Sequence, residues 1–460
     1  MIQDIIQYIY QLLWGDLITI PLPGGSSIGL SLLVLILIPS GIYFTIKTRF
    51  LPFRLFPEML KVVMEKKNVT QKNSISGVQA LIISTATRVG MGNLVGVVAA
   101  ISAGGAGAVF WMWITALLGS STAFIEATLA QLYKEKDPLY GGYRGGPAYY
   151  IHHLFQSKNN KRYSLIALLF AISGLICWCG ISQVIGNSVS SAFENAFHIP
   201  PLYTTVILVF VAAVIVLRKN ATVKVLDIIV PIMASFYFLI TLFIIITNIT
   251  QIPIVFQQII SEAFGFKQVV AGRFGAVLMN GIKRGLFSNE AGSGSAPCAA
   301  ASADVSHPVK EGLLQSFGVF IDTILICSCS AMIMLLTPSH LTQGLEGMSL
   351  LQAAMHYHMG DFGVIFIAII LWMFSFSTFI GILFYARSNV AYIFKDNWLS
   401  QTLYKILALI MLFIGGLATY TFVWDLGDIG VGLMTIFNMI ALFPLSKQVI
   451  QSLKDYEHKS

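Results

Sequence analysis

Residues 284–295 read Arg284-Gly285-Leu286-Phe287-Ser288-Asn289-Glu290-Ala291-Gly292-Ser293-Gly294-Ser295, a polar, glycine-rich interruption inside an apolar stretch that spans 268–303. A second interruption, Ala86-Thr87-Arg88-Val89-Gly90-Met91-Gly92-Asn93, lies inside the apolar stretch 76–102. Gly, Ser and Asn make poor helix interiors, because glycine loses the most backbone entropy on ordering and the other two offer competing local bonds. At membrane depth, irregular backbone is tolerated only where it is buried in protein or lines a cavity. A break frees N–H groups at the start of one half-helix, which suit a carboxylate. It frees C=O groups at the end of the other, which suit an ammonium or Na+. One isolated glycine reads as close helix packing; two interruptions at matching places read as a binding site.

The rest of the chain places these breaks in a bilayer. Of 460 residues, 56% are hydrophobic and 11% charged, with mean hydropathy +0.78; an ordinary soluble domain is about 25% charged. This composition excludes a soluble enzyme, a disordered chain and a secreted disulfide scaffold. The alternating segments of about 10 residues that mark a β-barrel do not occur. About 20 apolar residues cross a bilayer, and eleven such stretches are found, near 28–46, 76–102, 107–133, 164–193, 202–217, 225–248, 268–303, 312–336, 362–386, 402–420 and 429–446. The expected fold is therefore an all-α polytopic membrane protein with eleven transmembrane helices. The first 27 residues contain no Lys or Arg, so they lack the basic region of a secretory signal. They read as a short amphipathic segment ending at the turn Pro21–Gly25.

Loop charges test this alternation. Twenty-three of the 28 Lys and Arg residues fall on one side, from Lys47 and Arg49 after the first span to Lys447, Lys454 and Lys459 at the chain end. The other side carries Lys267 alone. The basic side is cytoplasmic, which puts the N-terminus outside and the C-terminus inside a cell (plasma or inner) membrane. Spans 2–6 fill 76–248 and spans 7–11 fill 268–446, 173 and 179 residues that start on opposite sides. That is the arithmetic of an inverted repeat. The chain divides into 1–75 (N-terminal segment, one extra helix and a basic cytoplasmic loop), the two five-helix repeats 76–248 and 268–446, and a cytoplasmic tail 447–460. The five cysteines lie in apolar stretches and read as buried free thiols.

Several segments together resemble one family. They are Gly90-Met91-Gly92-Asn93-Leu94-Val95-Gly96-Val97, Gly107-Ala108-Val109-Phe110-Trp111-Met112-Trp113, Arg144-Gly145-Gly146-Pro147-Ala148-Tyr149-Tyr150-Ile151, Arg284 to Gly292, Phe320-Ile321-Asp322-Thr323 and Val423-Trp424-Asp425-Leu426-Gly427-Asp428. From about residue 77 to 445 the chain is similar to the alanine or glycine:cation symporters, also called sodium:alanine symporters, of the amino acid–polyamine–organocation superfamily. The resemblance implies a leucine-transporter-like 5+5 inverted repeat with one extra N-terminal helix. It also implies cation-driven uptake of small neutral amino acids (alanine, glycine) by alternating access. The sequence departs from the family pattern at Met91, where the family has Thr; at Ile185, where it has Gln two residues before the Asn aligned with Asn187; at Ile382, where it often has Trp; and at Ala386 and Arg387, where it has Gly-Glu. Three of these changes touch or flank the implied pocket. They open the alternative of a larger neutral amino acid such as glutamine, or of H+ coupling.

The expected substrate-binding residues are Gly90, Met91, Gly92, Asn93, Asn187, Phe287, Ser288, Asn289 and Ile382. Ser377 and Thr378 in span 9 supply hydroxyls that, with backbone carbonyls near Val89, would form a Na+ site, since hard cations prefer oxygen ligands; back-bonding of each hydroxyl to its own helix is the alternative. Intramembrane charges default to function. Arg88 lies about 18 Å along span 2 from its cytoplasmic end, and Glu126 lies in the same inner half of span 3, so an Arg88–Glu126 pair is expected in a gating or structural role. Glu290 and Asp322 are neighbouring acids that can take a proton or cation, and Glu290 can equally pair with Lys283 or Arg284. No cofactor is expected beyond the coupling ion, Na+ or H+. The expected partners are a neutral amino acid and the lipid bilayer, with no nucleic acid and no obligate protein partner. Thr87-Arg88-Val89-Gly90-Met91-Gly92 faintly resembles a potassium filter, but a filter needs four copies about one axis, so an ion channel is the remote alternative.

Overall fold

A computed structural model describes residues 2–21, 27–65, 75–156, 164–218, 222–264 and 274–459. Of the basic loop residues, Lys66, Lys67, Lys72, Lys158, Lys161, Arg162, Lys219 and Lys267 lie outside the described residues, as does Arg273, and the side chains of Met91 and Lys224 do too. The helices used below are α1 (Ile2–Trp14), α2 (Leu32–Lys47), α3 (Gly77–Thr87), α4 (Asn93–Gly104), α5 (Gly107–Leu132), α6 (Pro147–Phe155), α7 (Leu165–Phe197) and α8 (Pro201–Val216). They continue with α9 (Thr222–Thr247), α10 (Ile252–Phe264), α11 (Phe274–Asn289), α12 (Ala296–Ala300), α13 (Pro308–Leu335), α14 (Gly347–Phe394), α15 (Trp398–Leu417) and α16 (Tyr420–Lys459).

Among the described residues, eight helical segments are long and apolar enough to cross a membrane: Gly77–Gly104, Gly107–Leu132, Leu165–Phe197, Ile228–Thr247, Pro308–Leu335, Gly347–Phe394, Trp398–Leu417 and Phe422–Lys459. The expected spans at 28–46 and 202–217 correspond to α2 and α8, apolar helices of 16 residues each. At 1.5 Å per residue these are about 24 Å long, shorter than a 30 Å hydrocarbon core. The expected span at 268–303 is two helices, α11 and α12, with irregular backbone between them.

Local chemistry places the ends of these elements. Ser76 opens α3 with a capping box: its Oγ accepts from Gln79 N–H at 3.2 Å, and Gln79 Oε1 accepts from Ser76 N–H at 3.0 Å, satisfying two first-turn donors. Ser31 caps α2 in the same sense. At Gly360, with φ +63, the backbone leaves helical geometry and divides α14 into a first arm and the span that carries Ser377 and Thr378. The broken segment is the centre of the molecule. Along its most apolar 18 residues Gly77–Gly104 is 88% buried within the protein, against 28% for Ile228–Thr247, which therefore faces lipid. Helix α7 packs along α14, α15 and α16, and α5 along α11 and α13. A Cβ on Gly180 would stand 2.2 Å from Gly427 N, and one on Gly186 2.2 Å from Leu412 O; these small residues let the backbones approach closely, as membrane helices require. Beside the start of the first broken segment and the end of the second, Ile75–Ser76 pairs in parallel with Ala303–Asp304.

Candidate functional site

The first break lies where expected. Helix α3 ends at Thr87, Val89 (ψ 76) and Gly90 (φ −176, ψ −110) leave helical geometry, and α4 begins at Asn93. The space explains the glycines. A Cβ on Gly90 would stand 2.3 Å from Thr378 Oγ1 and 3.1 Å from Phe374 O. A Cβ on Gly92 would stand 3.0 Å from Ser288 Cα and 3.2 Å from Phe287 O. The first break is thus pressed between α14 and the end of α11, so the two broken segments touch.

The second break is shorter than the sequence suggests. Arg284 to Asn289 remain helical as the last turns of α11, and the irregular backbone is confined to 290–295. Glu290 (φ +57), Gly292 (φ +95) and Gly294 (φ +82) all take left-handed backbone there. Phe287, Ser288 and Asn289 therefore stand on a half-helix end and not in a loop. A run of Gly and Ser marks where a helix can unwind, but the packing of α5 against α11 keeps its first part wound.

Unwinding exposes the carbonyls of Ala86 and Thr87 at the end of α3. The Ser377 hydroxyl donates to Ala86 O at 3.3 Å and to Phe374 O in its own helix at 2.8 Å. The Thr378 hydroxyl reaches Ala86 O at 3.2 Å and Thr87 O at 3.5 Å. Two hydroxyls and two carbonyls on crossing helices form one oxygen cluster, its carbonyls at the end of α3 just before Val89. All four groups are buried and neutral, so the cluster suits a monovalent hard cation.

Asn93 is buried and fully engaged. Its Nδ2 donates to Asp322 O at 2.8 Å, its Oδ1 accepts from Ser288 Oγ at 2.6 Å, and its backbone O accepts from Ser330 Oγ at 2.7 Å. It ties both broken segments to α13. On Asn289, Oδ1 accepts from Ala291 N–H at 3.0 Å while the buried Nδ2 has no partner among the described residues.

The charge pairing differs from the expected one. Arg88, fully buried, pairs with Asp322 at 3.1 Å and stands 3.8 Å from Glu290, with Gln315 Oε1 at 3.4 Å. Tyr385 O–H donates to Glu290 at 3.2 Å and also meets Thr87 Oγ1 at 2.7 Å. The expected Arg88–Glu126 pair is not formed. Glu126 accepts from Gly292 N–H at 3.0 Å and from the Asn438 amide, and so holds the second break. Depth along two helices can be counted from sequence, but the direction a side chain faces around the axis follows from how the helices pack. Nor does Glu290 pair with Lys283 or Arg284. Both bind Asp428, Lys283 at 2.5 Å and Arg284 through two bonds of 3.1 and 3.2 Å. Arg284 also lies 3.9 Å over the Trp424 ring, which meets Phe287 edge-on at 5.1 Å. From α1, Tyr10 O–H takes a 2.6 Å bond from Lys283 and Trp14 donates to Asp428 O at 3.0 Å. The sequence reading passed over Asp428 as a site residue. The available signal was an acid at the end of an apolar span, with an unmatched Lys-Arg pair elsewhere in the chain.

Two further expected residues stand apart. Asn187 donates to Ala418 O at 2.7 Å and lines a cavity that contains no residue of either break. Ile382 is buried, and it is its neighbour Gly381 that meets the end of α3, where a Cβ would lie 2.3 Å from Thr87 Cγ2.

Residues 24–460 match the model of the sodium:alanine symporter family. The chain belongs to the sodium:alanine symporter family. Among curated relatives of this family, the chain is 45% identical over 429 residues to the probable sodium/glutamine symporter GlnT of Bacillus subtilis, covering 92% of this chain and 87% of that protein. It is 42% identical to the amino-acid carrier protein AlsT of the same organism, covering 92% and 88%. It is 34% identical to the sodium/alanine symporter AgcS of Methanococcus maripaludis, covering 92% and 94%. Among solved structures, a manganese transporter of Eremococcus coleocola matches with TM-score 0.51 at 15% identity, over 81% of this chain and 78% of that one. The sodium:alanine symporter family consists of transporters, so this chain is a multi-pass membrane transporter for cation-coupled amino acid symport, and not an enzyme.

Proposed function

We propose that this chain couples the inward movement of Na+ to the uptake of a neutral amino acid by alternating access. In this reading the eight long helices, the two shorter ones and the broken α11–α12 segment make eleven crossings. They form a 5+5 inverted repeat behind one extra helix, with the N-terminus outside. The observation that carries the reading is the meeting of the Ala86 and Thr87 carbonyls with the Ser377 and Thr378 hydroxyls, beside the point where the first break meets the last turn of α11. A zwitterion at that crossing would place its carboxylate at the first N–H groups of α4 and its ammonium at the last carbonyls of α11. No covalent chemistry is involved. The ion cluster of Lys283, Arg284 and Asp428 closes the outer face in this conformation and would part when the site opens outward. Arg88, Glu290 and Asp322 would hold the two breaks in register.

Alanine or glycine is the substrate that the family supports. A second reading, glutamine, is favoured by the 45% identity to a relative named for glutamine and by Met91, Ile185 and Ile382. The test is competition uptake in proteoliposomes with an inward Na+ gradient, using labelled alanine and labelled glutamine, each chased by unlabelled neutral amino acids. Accumulation of either supports symport, and the better competitor sets the side-chain size. Accumulation driven by a proton gradient alone would remove the Na+ assignment. Flux that neither saturates nor concentrates its substrate would indicate a channel.

A further inference from the structure

Glu311 is a buried acid that the transport reading leaves unused. It stands in the first turn of α13 and is 0% exposed. Its Oε1 accepts one bond, from Gln315 Nε2 at 2.8 Å, and its buried Oε2 has no partner among the described residues. None of the charged groups packed around it supplies a paired cation. On α5, Lys134 Nζ is taken by Gln131 Oε1 and Ala303 O, each at 2.7 Å. Lys310, the preceding residue of α13, binds Glu65 at 2.6 Å. On the helix Phe56–Met64, Lys61 binds Glu58 at 3.1 Å, and Tyr456 of α16 also donates to Glu58. His307 faces Asp455 of α16 at 3.3 Å, and Asp304, beside the start of α3, is a further acid. From α3, Arg88 reaches only Gln315 Oε1, at 3.4 Å. An isolated carboxylate is so costly to bury that the group neutralises instead, so Glu311 carries a proton, and Oε2 is the oxygen free to hold it. That oxygen lies against the start of α3. A Cβ on Gly77 would stand 3.0 Å from Glu311 Oε2, 2.7 Å from Leu314 Cδ1 and 2.9 Å from Val305 Cγ1. Gly77 also lines a cavity of about 70 Å³, whose wall includes Lys310 and the exposed Glu65. It has room for more than one water at 10–15 Å³ each, and it lies on the side that the loop charges assign to the cytoplasm.

We propose that Glu311 is a proton-binding site addressed from the cytoplasm, protonated while the start of α3 lies against α13 and ionised when the two part. The pairing of Ile75–Ser76 with Ala303–Asp304 and the packing of Gly77 on Leu314 hold the two together here. Their separation lets water from the cavity reach Oε2. The Oε2–H bond breaks, the proton passes to that water, and the carboxylate left behind is solvated. The closed arrangement thus holds one more proton than the open one, so acid on the cytoplasmic side favours it. Gln315 links this step to the first break, since its Oε1 accepts from both Ser84 Oγ at 2.8 Å and Arg88. The proton enters and leaves on one side; it regulates inward release and is not itself carried. This proposal rests on the alternating access proposed above.

The test places Leu314→Cys, buried on the cavity wall in this conformation, in the full-length chain in nanodiscs, where both faces are reachable. Labelling by an impermeant maleimide is followed from about pH 5 to 8. Each rate is divided by that of the same thiol in denatured protein, which removes the thiol's own titration. The five buried native cysteines are subtracted as background. The corrected rate is expected to rise with pH by up to about tenfold per unit, the limit for one proton. Glu311→Gln keeps the acceptor for Gln315 and the shape of the protonated acid, and is expected to hold the rate at its acid value throughout. Should Leu314→Cys fold poorly, Val78→Cys on the same wall gives the same reading. A flat profile with Glu311 present, or a rise that survives Glu311→Gln, would overturn the proton site. Uptake of labelled alanine and glutamine is measured in parallel in proteoliposomes with an inward Na+ gradient. Intact uptake beside a flat labelling profile removes the proton site alone; if neither amino acid accumulates, the underlying functional reading fails instead.

Discussion

Thr378→Val tests the assignment of the coupling ion most directly. Valine keeps the shape of threonine and removes only the hydroxyl that reaches Ala86 O at 3.2 Å and Thr87 O at 3.5 Å. The Ser377 hydroxyl is committed in part to Phe374 O of its own helix at 2.8 Å, so Thr378 carries more of the cross-helix contact. A hydrogen bond to a charged group is worth about 1.5–3 kcal/mol. Taking that as one oxygen's share of cation binding, at 1.4 kcal/mol per decade, the loss of Na+ affinity is roughly 10- to 100-fold. The neutral hydroxyl–carbonyl bond itself is worth about 1 kcal/mol and enters folding, not ion dependence. The assay is initial uptake in proteoliposomes against external Na+, with choline as the replacing ion. The half-saturating Na+ concentration should rise by that factor, and the substrate KM should recover once Na+ is raised to saturation. Ser377→Ala should shift the same curve less, by under about tenfold. A Thr378→Val protein recovered in wild-type yield, with a wild-type Na+ curve, would refute the oxygen cluster as the ion site.

Arg88→Gln should destabilise the protein by about 3–5 kcal/mol, because it leaves Asp322 and Glu290 as buried acids without their cation; thermal unfolding in detergent should show Arg88→Gln combined with Asp322→Asn to be milder than the sum of the two. Gly292→Ala places a Cβ 2.6 Å from Met439 Cε on backbone with φ +95, at a cost of roughly 1–2 kcal/mol for the left-handed conformation; Met439→Ala should recover the steric part of the loss only, again by thermal unfolding. Asp428→Asn frees Lys283 and Arg284 and should speed labelling of a Phe287→Cys probe by an impermeant maleimide from outside several-fold, with the five buried native cysteines measured as background; an unchanged rate would remove the outer cluster as a gate. Tyr385→Phe deletes the hydroxyl that joins Thr87 to Glu290 and should lower uptake while leaving Gly292-side contacts of Glu126 in place, checked by normal thermal stability alongside reduced transport.

Much of this protein is legible along the chain because the bilayer demands it. Hydrocarbon admits no unpaired backbone, so long apolar runs must be helices, and a Gly- and Ser-rich interruption within one must be sheltered by protein. That reasoning locates the break at Val89–Gly90, while the placing of Ser377 and Thr378 against the carbonyls beside it follows from the family resemblance. It overextends the second break, since helix propensity could not foresee that packing against α5 keeps Arg284 to Asn289 wound. The short helices α2 and α8 show the same limit: hydropathy marks them as apolar, while their length follows from where the chain turns.

Pairing was decided in three dimensions. From sequence alone Arg88 and Glu126 share a depth, and Glu290 neighbours Lys283 and Arg284. In the folded chain Arg88 meets Asp322 and Glu290, Glu126 holds Gly292, and the two cations meet Asp428 from the far end of the chain. Asn187 passes from the implied pocket to a cavity that contains no residue of either break. Composition, the length of apolar runs and the sites of unwinding are properties of consecutive residues, so a membrane protein with broken helices can be read along the chain, and its resemblance to a symporter family adds transport. Which charge faces which, and which cavity a polar side chain lines, depends on the rotation of each helix about its axis. That rotation is set by close contacts such as Gly180 on Gly427 and Gly92 on Ser288, between residues far apart along the chain, and only the tertiary structure contains them.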